Sequence, residues 1–231
     1  MLKSGWSNNL SESKNKLSHE LRGLVEKYRK SFEEHGDTPA GVQWPRGRQD
    51  IRFKALTQHF ASNKFSVLDY GCGLGHLKDY LDKNFIGFEY LGADLVPEFI
   101  SAVQKKYPEV RTKLLSSPTE LIDPTDHVVA SGTFNIIEGG DRDAYLEKVK
   151  QALLHLFSLA RESLAVNFMT DKVDYMQPTA LHVNMEEMIN FVSRKMSARL
   201  LVNASYMPYE FTITVFKDDK IIRPNNVYRA S

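Results

Sequence analysis

The sequence predicts an α/β fold: a mostly parallel seven-stranded sheet, helices on both faces, an antiparallel C-terminal hairpin and an N-terminal helical extension. From Phe65 onward, short apolar runs alternate with amphipathic segments, the pattern of βα units whose right-handed crossovers lay strands parallel. The last two apolar runs, Ala198 to Asn203 and Phe211 to Phe216, are linked only through Ser205-Tyr206-Met207-Pro208-Tyr209. That link is too short for a crossover, so these two strands pair antiparallel. With 231 residues, 42% hydrophobic and 26% charged, the chain is long enough to bury a core without staples.

The elements follow in order. The first dozen residues are polar and read as loose. Leu17, Leu21, Leu24, Val25, Tyr28 and Phe32 then keep one helical face apolar, and Gly36 sits where a left-handed cap ends a helix. A loop rich in breakers, Asp37 to Pro45, leads to a second helix over Arg48 to Ser62 that buries Ile51, Phe53, Leu56 and Phe60. Phe65 to Asp69 is the first strand and Gly75 to Lys83 its helix. Phe88 to Asp94 is the second strand, followed by a helix near Pro97 to Tyr107 that Pro97 starts well. Val110 to Leu115 and His127 to Ala130 are the third and fourth strands, Asp141 to Leu159 a long helix, and Ser163 to Phe168 the fifth strand. Asn184, three residues before Glu187, opens a helix to Met196 in the manner of a capping box. Gly139-Gly140 reads as a loop hinge.

Charge and cysteine content narrow the partners. Thirty Lys+Arg against 29 Asp+Glu give a net charge of +1, and the two signs are interleaved. A protein that grips nucleic acid by its phosphates shows a basic surplus or stripe, and these totals do not call for one. Cys72 is the single cysteine, which excludes an intramolecular disulfide and a cysteine metal cage. The histidines lack the spacing of a metal site. No apolar run reaches the length of a membrane span, and Met1 to Asn9 lack the apolar stretch of a signal peptide. A cytoplasmic protein is expected.

The chemistry concentrates at Val67-Leu68-Asp69-Tyr70-Gly71-Cys72-Gly73-Leu74-Gly75. A buried strand enters a turn with alternate glycines and then a helix, so the backbone can adopt positive φ and admit a ligand closely. The helix N-terminus favours a carboxylate or phosphate. Open α/β sheets bind ligands beyond the strand C-termini at the topological switch point. A glycine turn alone is weak, but Asp94 ends the second strand 23 residues after Gly71, where a carboxylate can accept from both ribose hydroxyls. Asp69 stands at the mouth of the same crevice. The spacing G-x-G-x-G departs from the dinucleotide fingerprint G-x-G-x-x-G, and Asp69 would repel a pyrophosphate. S-adenosylmethionine, with a sulfonium, an ammonium and one carboxylate, suits the acid and the helix end better.

These residues resemble the class I S-adenosylmethionine-dependent methyltransferases. Val67 to Gly75 is similar to their first motif, Leu91-Gly92-Ala93-Asp94-Leu95 to their acidic second-strand motif, and the terminal hairpin to their antiparallel last strand. The resemblance covers about Phe65 to Lys217, with specific motifs in its first 30 residues and topology in the rest. It implies that Gly71 and Gly73 approach the methionine moiety, Asp69 faces its amino group, Asp94 holds the ribose and Leu95 lies against the adenine. It also implies that Ser131-Gly132, ending the fourth strand, leaves room beneath the transferable methyl; a plain strand-to-loop turn is an equal reading. The Asn/Asp-Pro-Pro-Tyr/Phe signature of nucleobase amino methylation is missing at Ala130 to Asn135.

The flanks His35-Gly36-Asp37-Thr38-Pro39, Trp44…Gln49…Arg52-Phe53 and Tyr209-Glu210-Phe211-Thr212 look like parts of some bacterial members with unassigned substrates. Residues 1–63 are expected to form a helical cap and 64–231 the methyltransferase domain. Such extensions commonly lid the cofactor in the family, which makes Arg52 a candidate for the methionine carboxylate; a solvated surface arginine is the plainer alternative. His182 and Asp171, in the segment after the fifth strand, are the candidate bases. His127 lies at the far end of the sheet and receives no role, and Cys72 packs behind the cofactor. The expected activity is methyl transfer from S-adenosylmethionine to an oxygen or nitrogen of a small molecule, such as a sugar or another biosynthetic intermediate. An RNA or protein methyltransferase, a nicotinamide-dependent oxidoreductase and a non-catalytic cofactor binder stay open as alternatives.

Overall fold

The computed structural model describes residues 19–44, 48–61, 64–137 and 141–217. The expectations for the first dozen residues and for Gly139-Gly140 lie outside them. Helix α1 spans His19–His35, and Gly36 follows with φ +61° while its N–H donates to the Phe32 carbonyl. A single 3-10 turn, Pro39–Val42, occupies the breaker-rich loop, and α2 covers Gln49–Thr57. Then come β1 (Ser66–Tyr70), α3 (His76–Asn84), β2 (Glu89–Asp94), α4 (Pro97–Lys106), β3 (Arg111–Leu114) and β4 (Thr125–Ala130). The chain closes with α5 (Arg142–Leu159), β5 (Ala160–Thr170), β6 (His182–Val183), α6 (Met185–Lys195), β7 (Leu200–Asn203) and β8 (Glu210–Phe216).

One sheet joins all the strands in the order β3-β2-β1-β4-β5-β8-β7, with the two-residue β6 alongside β5. Strands β1 to β6 pair parallel, and β8 runs antiparallel to both β5 and β7. The predicted seven strands form that path, and β6 is an addition in what reads in sequence as loop. The chain steps outward from β1 through β2 to β3, then returns to place β4 on the other side of β1. That reversal opens a crevice at the C-terminal ends of β1, β2 and β4.

Two apolar layers sandwich the sheet. On one side Leu153 and Leu156 of α5 and Met188 and Val192 of α6 share a core with Leu68, Val128, Val166 and Ile213. On the other, Phe53 and Leu56 of α2 and Leu77 and Leu81 of α3 pack with Phe60, Val67 and Val129. Helix α2 is therefore a layer of the sheet, whereas α1 meets the rest through Val25, Tyr28 and Phe32 against Leu74, Val96 and Phe99. Within α2 the expectation for Ile51 fails: it is 43% exposed, while Arg52 beside it is buried. The helix turns its charged residue inward because a carboxylate from β8 awaits it, which apolar periodicity cannot register.

The helix start expected at Asn184 is observed, and Asp141 provides a cap not expected from the sequence. Asn184 Oδ1 accepts from the Glu187 N–H at 3.0 Å, and Asp141 caps α5 by accepting from the N–H groups of Asp143 and Ala144.

Candidate active site

The turn from β1 to α3 needs its glycines. Gly71, Gly73 and Gly75 have φ of +74°, +53° and +77°, which side-chain-bearing residues adopt at a cost. A Cβ at Gly71 would come within 2.6 Å of the Thr133 hydroxyl, and one at Gly73 within 2.9 Å of Val42. The turn is tied to β2 by backbone and side chain together. Gly71 and Cys72 donate to the Ala93 carbonyl, and the Gly73 N–H donates to Asp94 Oδ2 at 2.8 Å. Asp94 Oδ1 accepts from the Val96 N–H at 2.9 Å. Gly75, at the N-cap of α3, has no side chain to cap the first turn.

Asp69 and Asp94 are both buried at this turn. Burial pushes the Asp69 carboxyl up to about 7; the Tyr90 hydroxyl, donating at 2.7 Å, pulls it partly back, and nearby Asp94 adds to the rise. Burial likewise pushes Asp94 up to about 6 against the pull of the Val96, Gly73 and Leu95 N–H groups. Two acids that take up protons near neutrality therefore flank one glycine turn, which is the behaviour of a site prepared for positive or hydroxyl-bearing groups.

A cleft of about 830 Å³ opens over these residues. Asp69, Gly71, Gly73, Asp94, Leu95 and Ser131 all line it, as does Cys72. The cover comes from Leu24, Val25 and Tyr28 of α1, then Val42 and Trp44, with Gln49 and Phe53 of α2 behind them. Tyr28 and Phe32 meet the Phe99 ring edge-on at 5.9 and 5.8 Å. Ligand pockets run to roughly 300–1,000 Å³, so this one is large enough for a cofactor and a second small molecule.

Three expected site residues lie outside the cleft lining. Arg52 is 1% exposed; its Nε donates to Glu210 Oε2 at 2.8 Å and its Nη2 to Glu210 Oε1. It is neither a carboxylate ligand in the cleft nor a solvated surface charge. His182 is buried in β6, with Nδ1 donating to the Thr170 carbonyl at 2.9 Å and Nε2 accepting from the Gln177 N–H at 3.1 Å. With both ring nitrogens engaged by backbone, it holds the β5–β6 loop in shape and has none left for an acceptor proton. Asp171 accepts from Asn184 Nδ2 at 2.8 Å and buttresses the start of α6. His127, given no role, is buried with Nδ1 2.8 Å from Ser163 Oγ.

Sequence reading missed other contributors. His76, the first residue of α3, lines the cleft, and its Nε2 lies 3.1 Å from Asp37 Oδ1. Tyr145 and Lys148 of α5 also line it. A signal was present for Glu210: an acid entering the apolar run of β8 has to find a partner when that strand is central to a sheet.

Comparison with known proteins bears on this arrangement directly. Residues 68–155 match a family described as methyltransferase domain, a stretch that contains the glycine turn, Asp94 and the end of β4. "Putative methyltransferase Rv1506c" of Mycobacterium tuberculosis is 28% identical over 166 residues, 68% of this chain and 96% of that protein. Among solved structures, magnesium protoporphyrin IX methyltransferase from Synechocystis PCC 6803, with bound S-adenosylhomocysteine, superposes with a TM-score of 0.58. It is 17% identical and covers 85% of this chain and 95% of its own. The 1,6-didemethyltoxoflavin-N1-methyltransferase of Burkholderia thailandensis gives a TM-score of 0.57 at 15% identity, over 87% of this chain and 91% of its own. At such identities structural likeness speaks for the fold; the sequence match adds kinship, because it falls on the residues that build the turn and its acid. Residues 68–155 thus carry a methyltransferase-domain match, and the chain is similar to S-adenosylmethionine-dependent methyltransferases in fold.

Proposed function

We propose that this enzyme methylates an oxygen or nitrogen of a small molecule held in the cleft beside Ser131 and Gly132. The observation that carries the cofactor half of this reading is the buried pair Asp69 and Asp94 on either side of a turn whose Gly71 and Gly73 leave no room for a side chain. That donor set fits S-adenosylmethionine. Asp94 would take the ribose hydroxyls, Leu95 the adenine, Asp69 the ammonium, and Gly71, Gly73 and Ser131 the amino-acid end. Asp69 opposes a pyrophosphate, which speaks against a nicotinamide dinucleotide. When bound, S-adenosylmethionine supplies an electrophilic methyl on a sulfonium. The chain itself contributes placement and the exclusion of water: Asp94 is fixed by two backbone N–H groups, and α1 lays Leu24, Val25 and Tyr28 across the cleft. Helix α1 with the 3-10 turn is thus the covering part of the N-terminal extension.

Two observations favour a small acceptor. Among the described residues that line the cleft there is one lysine, Lys148, and no arginine, a poor seat for a polyanion. Proteins of the same fold act on small molecules, a porphyrin in one case and a toxoflavin precursor in another.

Titration calorimetry with S-adenosylhomocysteine tests the cofactor site. Asp94→Ala removes a charged hydrogen-bond acceptor and is expected to weaken binding by roughly 10- to 100-fold, the equivalent of about 1.5–3 kcal/mol. Unchanged affinity in that variant, or tighter binding of NADH by the unaltered protein, would overturn the reading. Radiolabelled methyl transfer to fractionated small-molecule and RNA extracts then identifies the acceptor class.

A further inference from the structure

The segments around Trp44 and Arg52, near the start of the chain, and Glu210, near its end, meet in space. Arg52 and Glu210 stand 158 positions apart and form a buried two-pronged ion pair. Glu210 Oε2 also accepts from Asn167 Nδ2 at 3.2 Å, and Asn167 Oδ1 accepts from the Gly132 N–H at 2.7 Å. On the other side, the Arg52 guanidinium lies 3.7 Å from the centroid of the Trp44 ring. The indole occupies the space a side chain would need at Gly132, where φ is +70° and a Cβ would stand 2.8 Å from the ring.

We propose that Glu210, Arg52 and Asn167 form a brace that sets the acceptor half of the cleft, with Trp44 as its aromatic wall and the Ser131–Gly132 turn as its floor. The inference rests on the cofactor reading above and deepens it. One carboxylate fixes both parts: through Asn167 it holds the backbone after β4, and through Arg52 it presses the indole into place. Trp44 and Gly132 line the cleft, whereas Arg52, Asn167 and Glu210 do not, so these three are positioning residues. Strand β4 lies two strand spacings, roughly 10 Å, from β2 and its nucleoside-binding Asp94. The wall therefore stands at the opposite end of the cofactor site. A buried ion pair is a poor stabiliser compared with apolar residues of similar size, which leaves placement as its contribution.

The same geometry names a class of occupant. Glu210 already neutralises Arg52, so this wall attracts no anion. Trp44 and Phe53 are the aromatic side chains in this part of the lining, and Gln49 is a polar one near them in the chain. An uncharged acceptor with a flat apolar ring fits that surface more closely than a polyhydroxylated sugar, whose many hydroxyls need more polar partners than this wall supplies.

Trp6→Phe in the full chain leaves Trp44 as the lone tryptophan and makes it a reporter. Three readouts are taken on Arg52→Lys, Glu210→Gln, the paired change Arg52→Met with Glu210→Met, and Trp44→Ala where applicable. They are S-adenosylhomocysteine affinity, acrylamide quenching of Trp44, and saturation-transfer NMR with quinoline or methyl β-glucoside in the presence of S-adenosylhomocysteine. The paired change removes both charges together, so it folds even where Glu210→Gln does not. Cofactor affinity is expected to change by no more than about threefold, because Asp69 and Asp94 stand on β1 and β2 and Ser131 is the one cofactor-side residue on the brace. Trp44 becomes more open to quencher in Arg52→Lys and in the paired variant, and the quinoline signal of the parent is lost in the paired variant and in Trp44→Ala. Unaltered quenching and an unaltered quinoline signal in the folded paired variant would overturn the brace; transfer to the glucoside alone would overturn the acceptor class. If the parent protein fails to bind S-adenosylhomocysteine, it is the cofactor reading that falls.

Discussion

Asp69 is a carboxylic acid whose charge is decided by its surroundings. Burial moves it from the ordinary 3.8 up to about 7, and the Tyr90 hydroxyl restrains that rise. Between those two values the folded, ligand-free protein holds a proton that the unfolded chain gives up. This group's contribution therefore makes the free protein less stable as pH rises through that window. Binding has the opposite preference: a ligand ammonium beside Asp69 requires the ionised form. S-adenosylhomocysteine binding at pH 6 is thus expected to release a proton. Affinity should climb between pH 5.5 and 8, by up to about tenfold per unit below the raised value. Calorimetry in buffers of different ionisation heat reads the proton directly, and Asp69→Asn should flatten the profile. A binding heat independent of buffer would show that Asp69 meets no cation.

At the scale of one element, the β1–α3 turn separates two roles of glycine. Gly75, the N-cap of α3, needs only its positive φ, because an added Cβ would meet Tyr107 and Val103 at an ordinary 3.4 Å. Gly75→Ala is expected to cost about 1–2 kcal/mol of stability, the price of a left-handed residue, with cofactor affinity retained. Gly71→Ala adds a collision with the Thr133 side chain, whose hydroxyl is itself fixed to the Tyr70 carbonyl at 2.8 Å. The turn must shift, and S-adenosylhomocysteine binding should be lost while the fold persists. Paired thermal melts and titrations of the two variants check this contrast; equal effects on affinity would mean that the turn does not contact the ligand.

For the whole molecule, the two main apolar layers hold the sheet and leave α1 on a small cluster of its own. The segment after α1 is pinned by polar contacts: Asp37 lies 3.1 Å from His76 and 3.4 Å from Lys106. An element with few core contacts opens at lower free energy than the central strands. Hydrogen exchange should therefore find the amides of α1 less protected than those of β1, β4 and β5 in the free protein. Adding S-adenosylhomocysteine should slow them, since α1 walls the cleft the ligand fills. Exchange in α1 that ignores the ligand would remove this helix from the site.

Local chemistry was legible without coordinates. Alternating glycines, an acid two residues before them and another at the end of the second strand are constraints that act within a few positions. The hairpin followed from the length of one link. Periodicity likewise marked α1 and α5, because each turns one apolar face inward, and the Asn184 cap marked α6. What only the tertiary structure decided depends on partners far apart in the chain. Arg52 was read as a cleft ligand or a surface charge, and Ile51 as core, because nothing near either residue announces Glu210. His182 looked available until β6 formed and both its nitrogens found backbone partners. A side chain's intrinsic chemistry is written in its own type, but its charge, orientation and freedom are set by neighbours that folding brings together.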